Sequence, residues 1–201
     1  MAIPSLRLGW VGLGSMGNAM AKNIHAYLQS HHDTSLSFYN RTPSRGDALE
    51  ALGGERCASV SELATRSDVV FISASDDAAV ESIVEQIISS GSELTTKIIV
   101  DTTTTHPNTT KQMAEKLVAQ GAQFAAMPVF GATPVAEQGK LLVAFAGPES
   151  VYETIAPFLK GVVAREVLQV GKEPEKAMLL KTTGCVVAVA HQTKRVNVAR
   201  D

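Results

Sequence analysis

Apolar residues in this chain follow two periods in turn. Short continuous apolar runs close on Gly, Ser, Asn or Thr, and stretches with apolar residues every third or fourth position follow them. Leu6–Val11 reads as a first strand. Met16, Met20, Ile24, Tyr27 and Leu28 then line one face of a helix, and Ser30–Thr34 reads as a polar loop. Ser35–Tyr39 predicts a second strand, Pro43–Leu52 a helix stopped by Gly53-Gly54, and Val60–Arg66 a short helix. Within Asp68–Ser73, Val69, Val70, Phe71 and Ile72 are apolar in succession, the pattern of a parallel strand covered on both faces. Asp76–Ser90 predicts a helix with acids at its start, Lys97–Asp101 a strand, and Thr102–Thr105 a hydroxyl-rich turn. Pro107 opens a helix running to Gln120. Ala122–Val129 and Leu141–Ala146 read as strands, Pro148–Lys160 as a helix, and Glu166–Val170 as a last short strand. After a break at Gly171–Pro174, helical spacing returns from Glu175, with Ala177, Leu180, Gly184 and Val187 on one face. The alternation predicts an α/β fold with a doubly wound, mainly parallel sheet over residues 1–170. Residues 171–201 read as a break and the beginning of a helical segment.

The first strand runs straight into Gly12-Leu13-Gly14-Ser15-Met16-Gly17. A glycine triplet alone marks many ordinary turns; placed between a strand and a helix it is the dinucleotide fingerprint of Rossmann-type folds. Gly12 permits the tight turn. Gly14 lets a pyrophosphate approach the backbone, and Gly17 lets the helix pack close to the strand. Leu13, Ser15 and Met16 complete the loop, and the helix N-terminus offers its free N–H groups to phosphate.

The end of the second strand is where such folds read the adenosine ribose. An acid there accepts a hydrogen bond from the 2′-hydroxyl, whereas arginine accommodates a 2′-phosphate. Here the positions are Asn40, Arg41 and Thr42, with Arg45 one turn on, and no carboxylate. Two ordinary surface arginines on a solvated loop would look the same, but the location favours NADP over NAD.

Bulk properties narrow the partners rather than the fold. The chain has 201 residues, 45% apolar and 19% charged, with a net charge of −2. No basic cluster suggests nucleic acid and no basic amphipathic face suggests a membrane surface. Cys57 and Cys185 form neither a disulfide framework nor a metal site, and His31-His32 has no further ligand at useful spacing. The N-terminus lacks a charged segment followed by an apolar one, and no apolar run approaches transmembrane length, so a cytoplasmic location is expected.

Four segments together resemble the β-hydroxyacid dehydrogenase family, relatives of 6-phosphogluconate dehydrogenase. Gly9–Gly17, continuing through Met20-Ala21-Lys22-Asn23, is similar to the family's cofactor signature. Val100-Asp101-Thr102-Thr103-Thr104 resembles its Asp-x-Ser-Thr turn. Met127-Pro128-Val129-Phe130-Gly131-Ala132, with Ala136-Glu137-x-Gly139, is similar to the substrate segment, and Lys181-Thr182-Thr183-Gly184-Cys185 is placed like the catalytic Lys-x-x-x-Asn. The resemblance implies hydride transfer between a nicotinamide and a small hydroxy or aldehyde acid. Lys181 would exchange the proton at the substrate oxygen. Thr103 would offer a hydroxyl to the substrate carboxylate, and Gly131 with Ala132 backbone N–H groups. Thr104 would sit near the nicotinamide, and Ala74 and Ser75 would help to position the cofactor.

The chain departs from the family pattern at three places. Phe130 stands where the family has serine, Cys185 where it has asparagine, and the chain stops at Asp201. Val186–Ala190 and His191–Asp201 do not resemble the family's long helix and all-helical domain. The expectation is therefore a C-terminally truncated member that binds NADP and turns over poorly alone, with a possible homodimer through its last helix. Two alternatives stay open. One is an NADP-binding domain without catalysis; the other is an imine reductase, against which Lys181 argues.

Overall fold

The computed structural model describes residues 6–184. The readings made on Cys185, Val186–Ala190, Val187 and His191–Asp201 lie outside them. The elements run β1 (Leu8–Val11), α1 (Ser15–His32), β2 (Ser37–Tyr39), α2 (Asp47–Glu50), β3 (Glu55–Arg56), α3 (Val60–Arg66), β4 (Val69–Ile72) and α4 (Asp77–Ile88). Then follow β5 (Ile98–Asp101), α5 (Pro107–Ala119), β6 (Gln123–Ala126), β7 (Val129–Phe130), α6 (Thr133–Glu137), β8 (Leu141–Ala146), α7 (Glu149–Ile155) and β9 (Ala164–Gly171). A final helix, α8, occupies residues 174–184.

The strands form one sheet in the order β3-β2-β1-β4-β5-β6-β8-β7, with β9 paired to β8. From β3 to β6 every neighbour is parallel. β8 runs antiparallel to β6 and β7 and parallel to β9. This is the Rossmann-like, mainly parallel sheet that the alternation predicts.

Side-chain period explains why the central strands are apolar throughout. In β1 and β4, Leu8, Trp10, Val69 and Phe71 join the core on one face, and Val11, Val70 and Ile72 join the core on the other. The first core packs against α1 through Met20, Ile24 and Leu28 and against α7 through Val151 and Ile155. The second packs against α3, α4 and α5 through Leu63, Val84 and Leu117. Trp10 and Phe71 stack with ring centroids 5.3 Å apart, and the indole N–H donates to the Gly12 carbonyl at 2.9 Å. A buried Trp thus has its polar atom satisfied and fixes the strand just before the glycine turn.

Several boundaries differ from expectation, each for a local reason. α1 continues through Ser30, His31 and His32 and stops at Asp33, which adopts a left-handed conformation (φ 50°). The Ser30 hydroxyl bonds back to the Ala26 carbonyl at 2.9 Å, which satisfies a polar side chain within the last turns of the helix. The helix expected over Pro43–Leu52 is a 3-10 turn (Pro43–Gly46) followed only by α2. The strand expected over Ala122–Val129 breaks at Met127-Pro128 into β6 and β7, because Pro128 has no N–H to give a ladder. Its carbonyl still accepts from Ala144 at 3.0 Å. The helix expected over Pro148–Lys160 tightens to a 3-10 turn at Ala156–Phe158, where Pro157 sits. β3 and α6 are additions that the pattern did not announce. In α8 the buried pair is Ala177 and Met178, which join the second core; Leu180 is 37% exposed rather than facing inward.

Candidate functional site

The C-terminal ends of β1, β2, β4 and β5 collect four of the predicted segments on one edge of the sheet: Gly12–Gly17, Asn40–Thr42, Ala74–Ser75 and Thr102–Thr104. β1 lies between β2 and β4, where the winding reverses, and ligands of open α/β sheets bind at that point. Gly12 has φ 96°, and a Cβ there would overlap the Ser73 carbonyl. A Cβ on Gly17 would overlap the Gly12 carbonyl and press on Ser73. Around Gly14 nothing lies within 4 Å of the Cβ position, so its backbone is open to approach. Gly14 caps α1 without a side-chain hydrogen bond, and no acid occupies the first turn. The first N–H groups are thus left for a ligand, with no carboxylate to repel an anion. Those features fit the pyrophosphate of a dinucleotide.

Asn40 joins the next loop to this turn. Its side-chain carbonyl accepts the Leu13 N–H at 2.7 Å, and its amide donates to the Thr42 carbonyl at 2.7 Å. Arg41, Thr42 and Arg45 are left exposed beside it. Across the edge, Ser75 donates its hydroxyl to Asp76 at 2.7 Å. That bond, the Ala79 N–H and the charge of Arg41 hold the Asp76 carboxyl below the usual carboxylate range. Arg41 therefore already has one anionic group within electrostatic reach.

Behind the loop after β4 is a buried carboxyl. Asp101 ends β5 fully enclosed and accepts the Thr103 N–H at 2.9 Å through Oδ1, while Oδ2 has no partner among the described residues. Burial pushes its pKa up to about 7 against the pull of its bonds to Thr103, with the charge of Asp77 adding to the rise. The Thr103 hydroxyl in turn accepts the Ala74 N–H at 2.9 Å, and the Thr102 hydroxyl donates to the Ile72 carbonyl at 2.8 Å. Thr103 is only 5% exposed. Of these three threonines, Thr104 is the one that reaches solvent. Asp101 and Thr103 act here as a brace for Ala74.

The second group surrounds β7. Gly131 and Ala132 are exposed, and Ala132 caps α6. The Thr133 hydroxyl reaches the Met16 sulfur at 3.9 Å, and the Asn23 amide donates to the Ala136 carbonyl at 2.8 Å. These contacts tie the Gly131 segment to the helix of the glycine turn. Lys181, half-buried on α8, places Nζ 4.4 Å from the centroid of the Phe130 ring. No described hydrogen bond or ion pair links Lys181 to Thr103. Sequence reasoning passed over Ser73 and the buried state of Asp101. Neither has a local signal, since an acid ending an apolar strand reads as an ordinary strand terminus.

Fold and site together define a pyridine-nucleotide-binding domain. Residues 7–171 match the family model described as the NAD binding domain of 6-phosphogluconate dehydrogenase, and the chain belongs to that family. Among its relatives, the NADH-dependent oxidoreductase ucdB of Aspergillus ustus is 31% identical, over 87% of this chain and 58% of its own length. The mitochondrial 3-hydroxyisobutyrate dehydrogenase of Drosophila melanogaster is 33% identical, over 76% of this chain and 45% of its own. The chain thus spans about half the length of these curated relatives. The solved 3-hydroxyisobutyrate dehydrogenase of Mycobacterium tuberculosis shares the fold at a TM-score of 0.85 and 19% identity, over 94% of this chain and 62% of its own. Among the described residues no helix is long and apolar enough to cross a membrane, and no cluster of His, Cys, Asp or Glu could hold a metal ion.

Proposed function

We propose that this chain is the cofactor-binding part of an NADP(H)-preferring oxidoreductase of the 3-hydroxyacid dehydrogenase type. Its substrate would be a small hydroxy or aldehyde acid. The observation that carries the cofactor choice is the end of β2, where Asn40 is committed to the glycine turn and Arg41 stands exposed with no acid beside it in sequence. An arginine there attracts a 2′-phosphate, and an acid would repel it. One relative is named for NADH, so the preference needs a direct test in this chain.

In this reading the open N-terminus of α1 holds the pyrophosphate, and Arg41 with Thr42 holds the 2′-phosphate. A bound nicotinamide supplies or accepts the hydride. Asp101 keeps Thr103 in place, and Thr103 keeps the Ala74 loop at the height the cofactor requires. Thr104 lies beside the nicotinamide, and the exposed backbone of Gly131 and Ala132 orients the acid. Lys181 gives its proton to the carbonyl oxygen during reduction and takes it back during oxidation.

A second reading is cofactor binding without turnover. One observation favours it: the Thr103 hydroxyl, expected to meet the substrate carboxylate, is buried and bonded to Ala74. Following NADPH oxidation over a panel of short aldehyde and keto acids separates the two. Turnover supports the first reading. Tight NADPH binding with no turnover on any member supports the second.

A further inference from the structure

The contact between Phe130 and Lys181 joins the end of β7 to α8. Phe130 ends β7, and its register is fixed by pairing with Leu142 of β8. Its ring is half-buried and packs against the second core. A Cβ added at Gly184 would come within 3.2 Å of the ring edge, so the backbone of α8 lies close against the aromatic ring. Lys181, one turn earlier on α8, then places Nζ 4.4 Å from the ring centroid, inside the range at which an aromatic quadrupole attracts a cation. Among the described residues no carboxylate or hydrogen-bond acceptor competes for that ammonium.

We propose that Phe130 is a positioning residue for Lys181: its ring face holds the ammonium and so aims α8 at the exposed Gly131–Ala132 backbone beside it. A lysine side chain on its own samples many rotamers, and a proton donor that wanders by an ångström loses much of its effect. A ring that takes the cation on its face restricts the lysine without neutralising it. It also leaves the N–H groups that point away from the ring for a substrate oxygen, with no carboxylate to compete for them. Phe130 touches neither substrate nor cofactor in this scheme and acts only through Lys181. The claim about turnover rests on the proposed oxidoreductase reading, but the contact itself does not.

The test uses the full chain with its lysines reductively methylated with 13C-formaldehyde, which leaves Nζ cationic. The methyl signal that disappears in Lys181→Arg is assigned to Lys181. It is expected upfield of the remaining lysine signals through the ring current of Phe130. In Phe130→Leu, which keeps apolar bulk, it should return to the position of exposed lysines, and in Phe130→Tyr it should stay shifted. Thermal unfolding of each variant confirms that β7 and α8 still pack. On a turnover substrate, Phe130→Leu should lower kcat about 2- to 30-fold with KM for the cofactor unchanged, and Phe130→Tyr should restore it. A Lys181 signal already at the exposed position in the parent, or a shift that survives Phe130→Leu, would overturn the proposal. A shifted signal that Phe130→Leu abolishes, in a protein that turns over nothing, upholds the contact and refutes the oxidoreductase reading instead.

Discussion

The two halves of the site are built by different means. The nucleotide half, from Gly12 to Gly17 with Asn40, is made of backbone. Close approaches set it, and three residues that lack a Cβ together with one amide side chain hold it. The half around Phe130 and Lys181 adds side chains carried on β7, α6 and α8 to the exposed backbone of Gly131 and Ala132, and these meet only because the sheet and its last helix pack. At Gly12 and Gly17 this backbone site has no room for an added atom, yet its chemistry is general to any dinucleotide. A side-chain site can exchange residues without unfolding, and each exchange changes the reaction. Evolution can therefore alter the second half while the first stays fixed, which is how one cofactor fold serves many reactions.

The sharpest way to break this contrast is to remove Lys181. Lys181→Ala should lower any turnover by about 10²–10⁴-fold and leave cofactor affinity unchanged, because a general acid acts only on the reacting atom. Loss of both together would place the lysine in the nucleotide half and dissolve the distinction. A backbone change should do the reverse. Gly12→Ala forces an L side chain into φ 96° against the Ser73 carbonyl. Strain of this kind costs roughly 1–3 kcal/mol, before the overlap itself is counted. Thermal unfolding and cofactor affinity should fall together. A Gly12→Ala protein that binds as the parent does would show that the turn is less tightly set than its geometry demands.

This contrast also explains which parts the sequence made legible. The strand–glycine–helix run is local, so Gly12, Gly14 and Gly17 could be given their separate tasks from spacing alone, and the parallel order of the sheet followed from alternation. The exposed place of Arg41 and Thr42 was readable because they follow β2 directly. Asp101 was not, since its burial depends on β4, β5 and the threonine turn closing around it. The Thr103 hydroxyl was assigned to a substrate from resemblance, whereas its observed partner, Ala74, lies on another loop. The break at Pro128 was written in the chain but hidden by apolar residues on both sides of it. The meeting of Phe130 with Lys181 spans two elements with no shared pattern, so only packing reveals it.

A smaller effect sharpens the picture from the electrostatic side. Asp101 has a pKa of about 7 in the fold and about 3.9 when unfolded. Between those values the folded chain holds a proton that the unfolded chain has lost. This group's contribution to stability is therefore full below pH 4, falls as pH rises, and is lost above 7. Asp101→Asn keeps an acceptor for the Thr103 N–H and carries no charge. The variant should gain a few degrees in Tm relative to the parent at pH 8, and less at pH 5; each kcal/mol is worth about 2–4 °C in a chain of this size. An identical difference at both pH values would mean that Asp101 is ionised throughout.

What the end of β2 selects is tested directly by fluorescence titration of the full chain with NADPH and NADH, in the parent and in Arg41→Glu. The parent should bind NADPH more tightly than NADH. Arg41→Glu should weaken NADPH by about 10- to 100-fold, the range for losing a charge-assisted hydrogen bond, and leave NADH within a few-fold of the parent. Equal affinities in the parent, or equal weakening of both cofactors by the substitution, would contradict the assignment of Arg41 to the 2′-phosphate.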